Sequence, residues 1–324
     1  MPAAVAHLLL PSIVAISILL MLIRPRGIAE AWWISGGALL LLALRLIPPN
    51  LAGSAIAEGT DVYLFLTGMM LLSELARAQG VFRWVSSVAV CSAKGSSSRL
   101  FLLVYGVGTL VTVFMSNDAT AVVLTPAILA AVREARVKPL PYLFACALIA
   151  NAASFVLPIS NPANLVLFHA GLPPLGQWLL AFLLPSALSV LATYLALRLV
   201  FRKELRSQIE SEVKEESLNA GGKLVLAGMV LITAVLLTAS ALKKDLGLPT
   251  FLSALVITAI LAIKQKTNPL KLAREISWST LLLVAGLFVL VDALESQGAL
   301  QITQQWLVRA ERLPPLRERW SSAL

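Results

Sequence analysis

Apolar runs long enough to cross the hydrocarbon of a bilayer recur along the whole chain, at 5–23, 31–47, 61–79, 177–200, 223–242, 249–263 and 277–296. That feature removes most folds. Hydrocarbon offers the backbone no hydrogen-bond partner, so each N–H and C=O must pair within the protein, which leaves helices or a closed barrel. Barrel strands alternate apolar and polar residues in short segments, whereas these runs are continuous. The chain is therefore expected to be an all-α polytopic membrane protein. Only 13% of its 324 residues are charged and 58% are hydrophobic, too apolar a balance for a soluble domain.

The formal net charge of +9 would suggest nucleic acid in a soluble protein. Here the charges lie between the apolar runs. The loops at 24–30, 80–99, 133–139, 201–223 and 264–276 hold 17 Lys and Arg, whereas 1–4, 48–60, 169–176 and 243–248 hold two, Lys243 and Lys244. The positive-inside rule puts the first set in the cytoplasm and accounts for the charge without nucleic acid. The two cysteines, Cys91 and Cys146, are too few for a disulfide framework. The N-terminus lacks a basic leader, and its first apolar run leads into Arg24-Pro25-Arg26-Gly27, which reads as a retained span of an inner (plasma) membrane protein.

Two apolar stretches are interrupted. The first is FMSNDATAVVLTP, Phe114 to Pro126, between apolar arms at 100–114 and 120–132. Arg99 and Arg133 fall on one side, and each arm has only 13–15 residues. A re-entrant hairpin over 100–132, turning at Ser116–Asp118, is expected, although two full spans with a tight outer turn also fit the charges. Ser116, Asn117 and Thr120 offer oxygens there. The carboxylate of Asp118 can hold Na⁺, take up a proton or accept from a substrate hydroxyl, and an ionisable group inside a membrane is a functional candidate. Alternatively, Asn117 and Asp118 only cap the helix that starts near Ala119.

The second interruption is ANAASFVLPISNPANLVLF, residues 150–168, in an apolar stretch at 140–168 that is too long for one plain helix. Pro158 and Pro162 each remove a backbone donor. Asn151, Ser154, Ser160, Asn161 and Asn164 surround them. A discontinuous helix is expected, with its broken ends aimed at an ion or substrate. The alternative is a kinked helix whose polar residues satisfy only its own kink.

A polar linker at 201–222 divides a first repeat, 1–200, from a second, 223–324. A shift of 218 residues lays Leu64, Gly68, Leu72, Gln79 and Gly80 on Leu282, Gly286, Leu290, Gln297 and Gly298, with Glu74 on Asp292. By the loop charges the two segments run in opposite directions, an inverted repeat of the kind secondary transporters use. The same shift puts a second hairpin tip near 335, beyond Leu324, and RAERLPPLRERWSSAL at 309–324 is polar where an apolar arm is expected. The second repeat is thus expected to be truncated.

SNDATAVVLTP, LIANAASFVLPISNPANLVLF and RPRGIAEAWW (24–33) together resemble the arsenical pump membrane proteins of the ion transporter superfamily. The resemblance extends over essentially the whole chain. It implies efflux of arsenite and antimonite, driven by an ion gradient (H⁺ or Na⁺) or assisted by a cytoplasmic ATPase subunit, with no other cofactor. It also implies a homodimer with a scaffold and a moving unit. By the same resemblance Asn117, Asp118, Asn161, Pro162 and Asn164 line the site. Sodium–dicarboxylate symporters of the superfamily carry Ser-Asn-Thr at the tip, where this chain has Ser116-Asn117-Asp118. An acid there repels a dicarboxylate and suits a neutral hydroxylated substrate or a cation.

Other functions stay open: a sodium- or proton-coupled transporter of another substrate (organic anion or cation exchange), or an inactive remnant or assembly partner. Cys146 reads as a packing residue, His169 as interfacial, and Glu74 with Arg77 as a local ion pair. Trp32, Trp33 and Trp178 read as interfacial anchors. No phosphate loop, metal cluster or nucleophile–base pattern points to an enzyme.

Overall fold

The computed structural model describes residues 3–168, 173–209, 216–265 and 269–298. His169, the middle of the linker at 210–215 and the polar end at 309–324 lie outside them. The described residues form fourteen α-helices: α1 Ala3–Ile23, α2 Glu30–Ala43, α3 Pro49–Glu58, α4 Thr60–Ala78, α5 Val81–Ser92, α6 Ser97–Phe114, α7 Thr125–Glu134, α8 Leu140–Ala152, α9 Pro162–Leu167, α10 Leu175–Val200, α11 Ala220–Ala241, α12 Gly247–Gln265, α13 Pro269–Glu275 and α14 Trp278–Ser296. A π-helical segment, Ala119–Leu124, leads into α7. Among the described residues five helices are long and apolar enough to cross a membrane, α6, α10, α11, α12 and α14, and the bent pair α3 and α4 makes a sixth if it is one span. The protein is an all-α, multi-pass membrane protein.

The long apolar runs match their helices to within a few residues. Three shorter helices, α3, α5 and α13, occupy stretches that read as loops. α5 shows why. It has only twelve residues, too few to cross, and interleaves Ser86, Ser87 and Arg83 with Val81, Phe82, Ala89 and Val90, which it buries. Several helices stop at a basic residue in the left-handed region: Arg24 (φ 48°), Lys94 (φ 48°) and Arg136 (φ 53°). Such a residue breaks the helical run, and it places a cation near the negative end of the helix dipole.

The chain divides into two units, residues 1–59 with 278–324, and residues 60–277. Their boundaries differ from those of the expected repeats: each unit takes helices from both sides of the linker. In the first unit α14 packs on α1, α2 and α3. A Cβ on Gly286 would come within 2.9 Å of Ile34 Cγ2 and 3.2 Å of the Ser35 backbone nitrogen. In the second unit α4 packs closely on α12. A Cβ on Gly68 would lie 2.9 Å from the Phe251 nitrogen. Gly68 and Gly286 are the pair that the 218-residue shift superposes, and each lets its helix approach a neighbour's backbone. The second crossing is also capped across helices. The Asp61 carboxylate on α4 accepts from Gly247 N–H at 2.7 Å and Leu246 N–H at 3.3 Å, at the start of α12.

These crossings yield a stability test. Gly68→Leu and Gly286→Leu each force two backbones apart, at a cost of about 1–3 kcal/mol. Melting of the purified chain in detergent should show both variants less stable, while Gly53→Leu, which meets open space, melts like the parent.

Candidate functional site

Both interruptions lie in the second unit. The hairpin's first arm, α6, has 18 residues, longer than the arm read from sequence, because Ser97, Ser98 and Arg99 join the helix behind a Ser96 cap. Ser96 Oγ accepts from Arg99 N–H at 3.3 Å. At about 1.5 Å per residue the arm spans roughly 27 Å. α6 ends at Phe114, and the chain turns through Met115 and Ser116 into the second arm.

The tip separates four neighbouring polar residues into distinct roles. Ser116 is the cap: its Oγ accepts from Ala119 N–H at 3.1 Å. Neither Asn117 nor Asp118 is spent on capping. Asn117 is half-buried, and its Oδ1 is buried without a hydrogen-bond partner. Asp118 is exposed on the flank of the hairpin, as are Phe114 and Val122. It takes no part in the described ion pairs, which join Arg24 to Glu30 and Arg77 to Glu74 and Glu275. Thr120 is fully buried, and its hydroxyl bonds to Thr112 Oγ1 at 2.8 Å and to Gly108 O at 3.4 Å. That hydroxyl clamps the two arms together. The π register follows, with Thr125 bonding back to Thr120 O through its N–H and through Oγ1 at 2.8 Å. Single turns of π-helix concentrate at functional sites.

The second interruption is a true break. α8 ends at Ala152, residues 153–161 leave the α-helix, and α9 starts at Pro162. Leu157 (φ −124°, ψ 155°) and Asn161 (φ −147°, ψ 127°) are extended. Proline nitrogens at 158 and 162 cannot continue the helical ladder, which frees carbonyls upstream. Side chains take up the freed groups. Asn164, almost wholly buried, donates through Nδ2 to Ser154 O at 2.9 Å, Pro158 O at 3.3 Å and Leu157 O at 3.5 Å. Its Oδ1 is left buried and unpaired. Asn161 Oδ1 caps α9, accepting from Ala163 N–H at 2.9 Å. Ser154 Oγ bonds back to the end of α8, to Ala150 O at 2.7 Å.

Ser160 joins the two interruptions. Its Oγ donates to Val113 O at 3.0 Å, a carbonyl from the last turn of α6, and accepts from Leu157 N–H at 3.0 Å. Near the same place α6 and α8 approach closely: a Cβ on Gly108 would come within 2.9 Å of Ile149 Cγ2. Ser116, Asn117, Thr120, Ser154, Ser160, Asn161 and Asn164 thus belong to a bonded pair of breaks. Asn151 lies elsewhere, exposed in a groove between α8 and α10 with Ser189 and Thr193, its Nδ2 bonded to Ala147 O at 3.3 Å.

Some contributors were missed in the sequence. Thr112, buried one turn from Gly108, carries a readable signal, a hydroxyl in an apolar run. Trp178 carries none. It was read as an interfacial anchor, but it is fully buried and its Nε1–H donates to Phe155 O at 3.0 Å. Glu74 and Arg77 do pair, at 2.7 Å, with Glu275 a second acid at 3.5 Å. Among the described residues no three His, Cys, Asp or Glu gather to hold a metal.

Membrane-crossing helices and two polar breaks bonded to one another are the build of a membrane transporter. The chain belongs to the citrate transporter family, CitMHS, whose pattern it matches over residues 12–317. It is 30% identical over 146 residues to the "Putative arsenical pump membrane protein" of Bacillus subtilis (strain 168), covering 44% of this chain and 33% of that one. It is 25% identical over 252 residues to an uncharacterized transporter of Mycobacterium tuberculosis, covering 74% and 57%. The arsenical pump membrane protein of Escherichia coli (strain K12) is 26% identical over 165 residues, covering 49% and 38%. The chain thus spans less than two thirds of the length of these relatives.

Two measurements check the site. Ser160→Ala leaves Val113 O and Leu157 N–H without that partner, a loss of about 1–3 kcal/mol, which should lower the melting temperature of the purified chain. For topology, single cysteines at Lys94 and Lys138, both exposed, in a chain lacking Cys91 and Cys146 should react from the same side of sealed vesicles. Reaction from opposite sides would contradict the hairpin.

Proposed function

We propose that this family member exports arsenite and antimonite, coupled to an ion gradient, from a site between the hairpin tip and the helix break. One observation carries the reading: Asn117 Oδ1 and Asn164 Oδ1, one on each interruption, are buried acceptors without partners. The three carbonyls held by Nδ2 orient the Asn164 amide, so its open end is oxygen. A buried acceptor left open costs free energy that a ligand's donor recovers. Arsenous and antimonous acids are neutral at physiological pH and carry hydroxyl donors. A coupling cation would also satisfy such oxygens. Citrate brings one hydroxyl donor among three carboxylates, and Asp118 at the same tip adds like charge against those carboxylates. The arsenical pump names of two relatives support the same substrate class.

An inverted repeat, with Gly68 and Gly286 at equivalent crossings, supports alternating access, the mode in which one repeat rocks against the other. A homodimer and a cytoplasmic ATPase subunit belong to this reading as partners. The second reading is proton- or sodium-coupled transport of an organic anion, favoured by the family's description as citrate transporters.

The test is efflux. Expression of the chain in an arsenite-sensitive host should lower cellular arsenite. Asp118→Asn should slow that efflux about tenfold or more at equal membrane level, the scale of a lost charged contact. Movement of citrate without arsenite would sink the first reading in favour of the second. Full efflux by Asp118→Asn would remove the acid from the mechanism.

A further inference from the structure

Residues 153–161 leave the helix inside a protein that the bilayer surrounds, so every carbonyl there needs a donor from the protein. Asn164, within the motif itself, supplies three of them. The carbonyl of Phe155 is met from outside the motif. Its partner is the indole N–H of Trp178, 23 residues on, at 3.0 Å.

Trp178 stands in the first turn of α10, where its own N–H bonds to Pro174 O at 3.0 Å. Pro174 (φ −55°, ψ 146°) sets the chain's direction into that helix. The indole is fully buried and touches residues within the break and beyond it. Phe168, which closes α9, meets it edge-on at a centroid distance of 5.3 Å. Phe182, one turn further along α10, lies 4.5 Å from it and stacks on Phe155 at 5.7 Å and 22°. A membrane-surface tryptophan keeps its N–H toward the headgroups; this one turns inward to a broken helix. Large buried rings with one donor each suit such a task, because the ring fixes the position and the N–H fixes the orientation.

We infer that Trp178 is a positioning residue for the ligand site: by bracing the break at Phe155 O and packing on Phe168 it sets where Ser160 and Asn164 stand, and so where the unpaired Asn164 Oδ1 is held. The inference rests on the transport reading for its functional consequence, but its structural half stands alone. Loss of the indole N–H loosens 153–161 while the apolar packing survives.

The experiment uses the full chain in sealed membrane vesicles, with Cys91→Ala, Cys146→Ala and a single reporter, Val156→Cys, inside the break. Trp178→Phe keeps a ring and removes the donor. Maleimide labelling at position 156 should accelerate about tenfold, the scale of one buried carbonyl losing its donor, while a cysteine at exposed Leu184 on α10 labels at the parent rate. In the transport assay the same variant should raise the KM for arsenite more than it lowers the maximal rate. Trp178→Leu, lacking both ring and donor, should show a larger effect on both readouts. Unchanged labelling at 156 in both variants overturns the inference. So does an equal acceleration at Leu184, which would report general loosening. Should the parent chain move no arsenite, the transport reading fails while position-specific labelling still upholds Trp178 as the brace of the break.

Discussion

A hydrocarbon environment has no hydrogen bonds to lend, and the structure around the two interruptions follows from that shortage. Where the helices stop, backbone groups lose their ladder partners and side chains take over. Ser116 receives Ala119 N–H, Ser160 holds Val113 O, Asn164 holds three carbonyls and Trp178 holds Phe155 O. Most of the polar residues in the two motifs are consumed by their own backbone. The part not consumed in this way is small: the amide oxygens of Asn117 and Asn164 and the carboxylate of Asp118. A motif crowded with polar residues thus leaves few groups free, and the free ones are acceptors.

The crossings at Gly68 and Gly286 perform a related service for packing. Neighbouring helices in lipid gain little from apolar contact, because the lipid tails are as apolar as leucine. Close backbone approach supplies dispersion contacts instead, and glycine permits it. Each of the two units contains such a crossing. At the second, the Asp61 cap on Gly247 and Leu246 fixes how far α12 slides along α4.

Much of this was legible in the sequence. Long apolar runs mark their helices because a spanning helix must be apolar throughout, and Pro158 and Pro162 mark the break because neither can donate. Roles within the motifs were not legible. Asn161 and Asn164 are three residues apart and identical in type, yet one caps a helix and the other braces carbonyls and keeps a free oxygen. Which is which depends on the path of 153–161, which no periodicity encodes. Asn151 looks equally eligible, but α8 continues through Ala152 and presents it to α10. α5 carries no long apolar run because it is short and amphipathic, with serines and an arginine among its apolar residues. The role of Trp178 is illegible because its partner is 23 residues away.

The polar linker has one more consequence. Ile209 N–H bonds to Gly95 O at 2.9 Å, Ser207 Oγ meets Ser97 Oγ at 3.1 Å, and Glu216 N–H meets Ser87 Oγ at 3.1 Å. The described ends of the linker are therefore moored, residues 207–209 against the turn that starts α6 and Glu216 against the flank of α5. The chain that leaves α10 is thus footed at the start of α6, and the chain that enters α11 is footed on α5, so each helix shares its anchorage with the hairpin or its neighbour.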